Sequence, residues 1–173
     1  EGPGLESAAV FRDGFGNRAH LVTLVKPGAE ISITVSGQVE TFDKSGVLGR
    51  LDHDPSPAVF RRSSQLAKFD RTLIEDLMPE GGRVALLHTL MDRVHVTSGA
   101  STQTQAQYGA TQVQSLTNTG PDLAHAFIGA ARALDIPARY VTGYLLDEVT
   151  ARFHCWAEAW DEGLGWIGFD PVL

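Results

Sequence analysis

Ile31, Ile33, Val35 and Val39 alternate with Ser32, Thr34, Ser36 and Gln38. A period of two gives a strand one buried face and one wet face, so a strand is predicted there. Upstream, Asp13-Gly14-Phe15-Gly16-Asn17 separates Ala8–Arg12 from His20–Val25. Glycine admits unusual backbone angles, and Asp and Asn bond their own local backbone, so this cluster predicts a turn between two strands. Residues 1–45 therefore read as an N-terminal β segment, with a core from 46 to 173.

The pattern changes after Asp52–Pro57, a loop with two prolines. Ser63–Phe69 and Arg71–Met78 read as short helices. Arg83–Val94 reads as a longer one, with Val84, Leu87, Met91 and Val94 on one stripe at helical spacing and His88 beside them as a partly buried structural histidine. Thr97–Gly120 holds no charged residue and reads as a neutral surface leading into a cleft, or as a polar loop. Pro121–Leu134 is the strongest helix. Proline suits its start, where a missing N–H is no loss. Leu123, Phe127, Ala130, Ala131 and Leu134 form its buried stripe, and Pro137 ends it. Strands follow at Ala138–Leu145, Phe153–Trp160 and Trp166–Asp170, the last two joined by a turn at Glu162–Gly165.

Composition narrows the function classes. Hydrophobic content of 43% and charged content of 20% are those of an ordinary globular domain. A formal net charge of −7 without any basic run argues against a nucleic-acid partner. No apolar stretch approaches the roughly 20 residues of a membrane span. The single cysteine excludes an intrachain disulfide and a multi-thiolate metal site, and is compatible with the cytoplasm. The chain opens with Glu-Gly-Pro and stops soon after Asp170, which reads as a protein trimmed at both ends. Nothing in the sequence fixes an oligomeric state.

The last two strands also bring chemistry together. If the turn pairs Trp160 with Trp166, His154 and Asp170 fall on one face, diagonally adjacent; a one-residue slip would separate them. A histidine so held can take a proton while the carboxylate fixes its tautomer. A helix start favours an anion, and hence a thiolate, through its unpaired N–H groups.

Four runs carry a family resemblance. They are Asp122-Leu123-Ala124-His125; Ala133-Leu134-Asp135-Ile136-Pro137-Ala138-Arg139-Tyr140-Val141-Thr142-Gly143-Tyr144; His154-Cys155-Trp156-Ala157-Glu158-Ala159-Trp160; and Gly165-Trp166-Ile167-Gly168-Phe169-Asp170-Pro171. In this order they resemble the bacterial transglutaminase-like superfamily, whose members read G-V-C-Q-D-[FYL]-A-H, A-R-Y-V-S-G-Y, H-A-W-x-E and G-W-x-x-F-D-P. The resemblance implies an α+β, papain-like transglutaminase core, with an antiparallel sheet packed against helices. It also implies a Cys–His–Asp site, with His154 and Asp170 as its histidine and carboxylate. Gly120 stands where the nucleophilic cysteine belongs, and glycine offers no nucleophile.

Three functional readings follow. One is a transglutaminase-like domain without its nucleophile, binding a peptide or amide ligand or serving in assembly. Another is a thiol-dependent amide hydrolase or acyltransferase whose cysteine has been replaced at Gly120. The third places a metal between His125, His154 and Asp170, although no ligand spacing supports it and no cofactor is expected. Trp156 is the candidate cleft wall, and His125, one turn into the helix, a candidate substrate contact. Cys155 should face away from His154 as a core thiol. Thr119 reads better as a helix cap than as a nucleophile, and Ser115 is likewise a poor substitute for a thiol.

Overall fold

The computed structural model describes residues 5–24, 30, 34, 36–78, 81–97, 120–146 and 151–173. These fall into two compact units: Glu1–Asp43 with Asp52–Pro55, and Lys44–Leu51 with Ser56–Leu173.

The first unit contains an antiparallel hairpin of β1 (Leu5–Arg12) and β2 (Arg18–Leu24). Its turn is built on Asp13, whose Oδ1 accepts from the amides of Phe15 and Asn17, both at 2.9 Å. Its Oδ2 accepts from the Asn17 side chain at 3.0 Å. The bonds from Asn17 stabilise the carboxylate and hold its pKa below the ordinary value. The predicted strand through Ile31–Val39 lies partly outside the described residues. Where its alternation continues, from Ser36 to Val39, there is no strand, and Val39 is 85% exposed. Alternation makes a strand only where a neighbour buries its apolar face.

The second unit holds a four-stranded antiparallel sheet in the order β3-β6-β5-β4, with β3 at Val47–Gly49, β4 at Ala138–Leu146, β5 at Ala151–Asp161 and β6 at Gly165–Phe169. Helices α1 (Arg83–Thr97) and α2 (Gly120–Ala133) pack against it. Leu87, Leu90 and Val94 of α1 meet Leu123, Phe127, Ile128 and Ala131 of α2 over Ala157, Ala159, Ile167 and Phe169 of the sheet, all buried in one apolar cluster. Phe127 stacks on Phe169 with ring centroids 5.2 Å apart.

Helix α2 ends by a backbone device the sequence only partly announced. Asp135 takes φ +60°, the Ile136 amide donates to Ala131 O and the Asp135 amide to Arg132 O, both at 3.0 Å. This is the Schellman closure of a helix C-terminus. Arg132 then holds the start of β4, donating from Nε and Nη2 to Ala138 O at 3.0 and 2.7 Å.

Two predicted helices are absent. Over Ser63–Phe69 the Ala67 amide bonds Ser64 Oγ at 3.3 Å, a local alternative to helical bonding. Arg71–Met78 shortens to a 3-10 turn at Arg71–Leu73, capped by Asp70. Asp76 at φ +54° is incompatible with a helix running through it. His88 is also exposed rather than partly buried, although its ring packs edge-on against Phe169 at 5.3 Å.

The β5–β6 hairpin positions the site. Trp160 pairs with Trp166, the predicted register. Asp161 Oδ1 accepts from the Gly163 and Leu164 amides at 2.9 and 3.0 Å. Gly165 sits at φ +82°, where a Cβ would meet the Gly49 carbonyl carbon at 2.4 Å. Only glycine both adopts that angle and leaves β3 room.

Candidate functional site

Side chains alternate along β5. Cys155, Ala157 and Ala159 are buried on the side that carries α2, while His154, Trp156 and Glu158 take the other face. Strand β6 stops at Phe169, opposite Ala157. Residues 151–156 are therefore paired with β4 alone among the described strands, and His154 lies on that one-sided stretch. Asp170 follows directly on β6, at the point where its carboxylate can reach back to His154.

It does reach. His154 Nε2 lies 2.5 Å from Asp170 Oδ2, with the side chains 13% and 23% exposed. An ionised carboxylate can only accept, so Nε2 carries the proton and Nδ1 remains the basic nitrogen of the neutral ring. Asp170 Oδ1 accepts from the Val172 amide at 3.1 Å, which fixes the carboxylate plane. This Asx-turn went unread in the sequence, although Asp-Pro is a turn signal.

Trp156 lies beside His154, with ring centroids 6.2 Å apart and planes 21° from parallel. It also covers Gly143, where a Cβ would stand 2.8 Å from the indole Cη2. Behind it, Arg139 Nε donates to Glu158 Oε2 at 2.7 Å. The guanidinium carbon lies 4.1 Å from the centroid of Trp166. This ion pair anchors the strand that carries His154, and sequence reasoning missed it.

The other predicted positions separate. His125 stacks on Tyr140 at 4.5 Å. Tyr140 pairs with Ala157, so by alternation it sits on the face opposite His154. No group of three or more His, Cys, Asp or Glu among the described residues could hold a metal ion; His125 does not join His154 and Asp170. Cys155 is buried as expected. Burial pushes its thiol pKa up; a hydrogen bond from the Tyr140 hydroxyl opposes this, and Asp170 and Asp122 add to the rise. Gly120 is the first residue of α2. Thr119, Ser115 and most of the Thr97–Gly120 segment lie outside the described residues.

No helix among the described residues is long and apolar enough to cross a membrane. Three comparisons with known proteins bear on this geometry. The chain aligns with "Uncharacterized protein ML0607" of Mycobacterium leprae (strain TN) at 24% identity, over 94% of its own length and 65% of that protein's. It superposes on a crystal structure of a candidate cysteine protease from Cytophaga hutchinsonii with a TM-score of 0.50 and 25% identity. That match covers 70% of this chain and 43% of the other, so the chain spans less than two thirds of either relative. The α+β arrangement of helices on an antiparallel sheet is the papain-like fold of such enzymes. The profile of the transglutaminase-like core matches residues 76–171, more than half of the 173 and inclusive of α1, α2 and the whole His154–Asp170 hairpin, and on that match the chain belongs to the transglutaminase-like superfamily.

Proposed function

We propose that this domain keeps the base and the orienting carboxylate of an acyl-transfer site but lacks its nucleophile, and that it binds a peptide or amide ligand without turning it over. The observation that carries this reading is the His154–Asp170 hydrogen bond, set against a glycine at the start of α2. In this reading Gly120 is the vacant nucleophile position. Trp156, beside the imidazole, supplies an apolar wall for a ligand backbone, and His125 is a more distant contact on the helix side. The likeness to a candidate cysteine protease favours a peptide amide as the ligand class.

Retention of an ordered His–Asp pair favours one other reading. With a thiol at position 120 the same residues form an acyltransferase or amide hydrolase. The thiolate would attack the carbonyl carbon, and His154 would pass a proton from Nδ1 to the departing amine. Water or an amine would then release the acyl group, with Asp170 stabilising the imidazolium throughout.

Intact-mass spectrometry with an activated ester separates these outcomes. The native chain should form no thioester cleaved by neutral hydroxylamine, since Cys155 is buried and its pKa raised. Gly120→Cys should gain one acyl group at position 120, and Gly120→Cys/His154→Ala should acylate at least about 100-fold more slowly. A hydroxylamine-labile acyl group on the native chain would overturn the proposal. Equal rates in the two cysteine variants would remove His154 from the site.

A further inference from the structure

Helix α1 brackets Asp170 with two histidines seven residues apart. His88 packs against Phe169, the residue before it. His95 Nδ1 lies 3.0 Å from the carbonyl oxygen of Pro171, the residue after it. A carbonyl only accepts, so His95 Nδ1 carries the proton and donates. The peptide it holds joins Pro171 to Val172, and the N–H of that same peptide donates to Asp170 Oδ1. The other carboxylate oxygen receives His154 Nε2. One line of hydrogen bonds therefore runs from His95 through a single peptide plane to Asp170 and on to His154.

We propose that His95 is a positioning residue for this site, acting on Asp170 through the Pro171–Val172 peptide. The bond it makes is to the peptide, and the effect reaches His154 through Asp170. By gripping the carbonyl it fixes the rotation of the peptide plane, and with it the direction of the N–H that orients the carboxylate. Donation to the carbonyl also polarises the peptide and strengthens its N–H as a donor. The neighbouring packing supports a fixed geometry, because Phe169 and Pro171 are both buried, leaving rotation of the 171–172 peptide as the freedom His95 removes. The inference rests on the reading of His154 and Asp170 as the site's pair, but not on what occupies position 120.

Its test is the imidazole Nε2 proton of His154, followed by NMR in the native Gly120 chain. Bonded to Asp170, that proton should resonate far downfield and be protected from exchange with water. His95→Leu removes the donor and should speed its exchange about tenfold, the scale of one lost hydrogen bond. His95→Asn places an amide N–H where Nδ1 was and should restore protection to within about threefold of the native chain. Unchanged protection in His95→Leu would overturn the proposal. So would equal loss in both variants, since His95 would then be acting through its packing alone. Should His95→Leu fail to fold by circular dichroism, His95→Asn decides: retained protection supports the proposal and lost protection overturns it. If the native chain itself lacks a protected proton, the His154–Asp170 reading falls with it. An ordinary thiol at Gly120→Cys with protection intact would instead remove only the nucleophile assignment.

Discussion

Glu158→Gln changes one buried charge and almost no volume, and its cost follows from the pair it breaks. The Glu158 side chain is 2% exposed and that of Arg139 14%, with 2.7 Å between Nε and Oε2. Replacing the carboxylate by an amide leaves the guanidinium facing a neutral acceptor in a poorly solvated place. Breaking a buried ion pair from one side costs about 3–5 kcal/mol. Two features keep the cost near the lower end. The amide oxygen can still accept from Arg139 Nε, and stacking on Trp166 at 4.1 Å retains a cation–π attraction of about 1–2 kcal/mol. The expected loss is therefore about 3 kcal/mol, a fall in Tm of roughly 6–12 °C for a domain of this size. Urea unfolding followed by tryptophan fluorescence measures it, Trp160 and Trp166 lying on either side of the hairpin turn. The double variant Arg139→Met/Glu158→Leu should recover most of the loss, because an apolar pair of similar volume avoids the desolvation of both charges. A Glu158→Gln protein within about 0.5 kcal/mol of the parent would refute the reasoning, since that is the scale of an exposed pair.

Gly143→Ala sets a methyl against the indole of Trp156, and overpacking of this kind costs about 1–3 kcal/mol. The relief available is for Trp156 to swing away from His154, so the tryptophan emission should shift; unchanged stability with an unchanged spectrum would contradict the contact. High pH should also weaken the fold. Burial, then the contact with Cys155, raises the Tyr140 phenol's pKa, and burial first of all raises that of the Cys155 thiol. Groups whose folded pKa is raised contribute fully below their unfolded values, about 8.5 for a thiol and about 10 for a phenol, and lose that contribution as pH climbs toward the folded ones. Urea midpoints should fall from about pH 8.5 upward, and Cys155→Ala/Tyr140→Phe should flatten the decline; an equal slope in the double variant would assign the loss elsewhere.

The fold was legible where local chemistry and tertiary packing agree. The Asp13–Asn17 turn, α2 and the β5–β6 hairpin follow from turn residues, a continuous apolar stripe and a fixed pairing at Trp160–Trp166. That pairing is why the contact of His154 with Asp170 could be anticipated at all. Elements whose form depends on a distant partner were misread. Ile31–Val39 alternates cleanly, yet its described portion meets no neighbouring strand. Val47–Gly49 is too short to signal itself and exists through its bonds to β6. Ser63–Phe69 and Arg71–Met78 have helical composition but insufficient length to offset nucleation. In the site, the Arg139–Glu158 pair required the β4–β5 register. His95 left no trace in any motif, because its bond is to a backbone carbonyl 76 residues away.

The central claim is that the base and its carboxylate stand ready around a position that holds no nucleophile. Gly120→Cys tests it without knowledge of any substrate. The rate of alkylation by a small neutral electrophile would be measured at position 120 against pH, with buried Cys155 as the internal comparison. The expected result is an apparent pKa at position 120 at or below about 7, rising toward the free-thiol value of about 8.5 when His154 is replaced by alanine. A thiol at position 120 that titrates near the free value and ignores His154 would contradict it, and the domain would then be a binding module without the remains of a catalytic site.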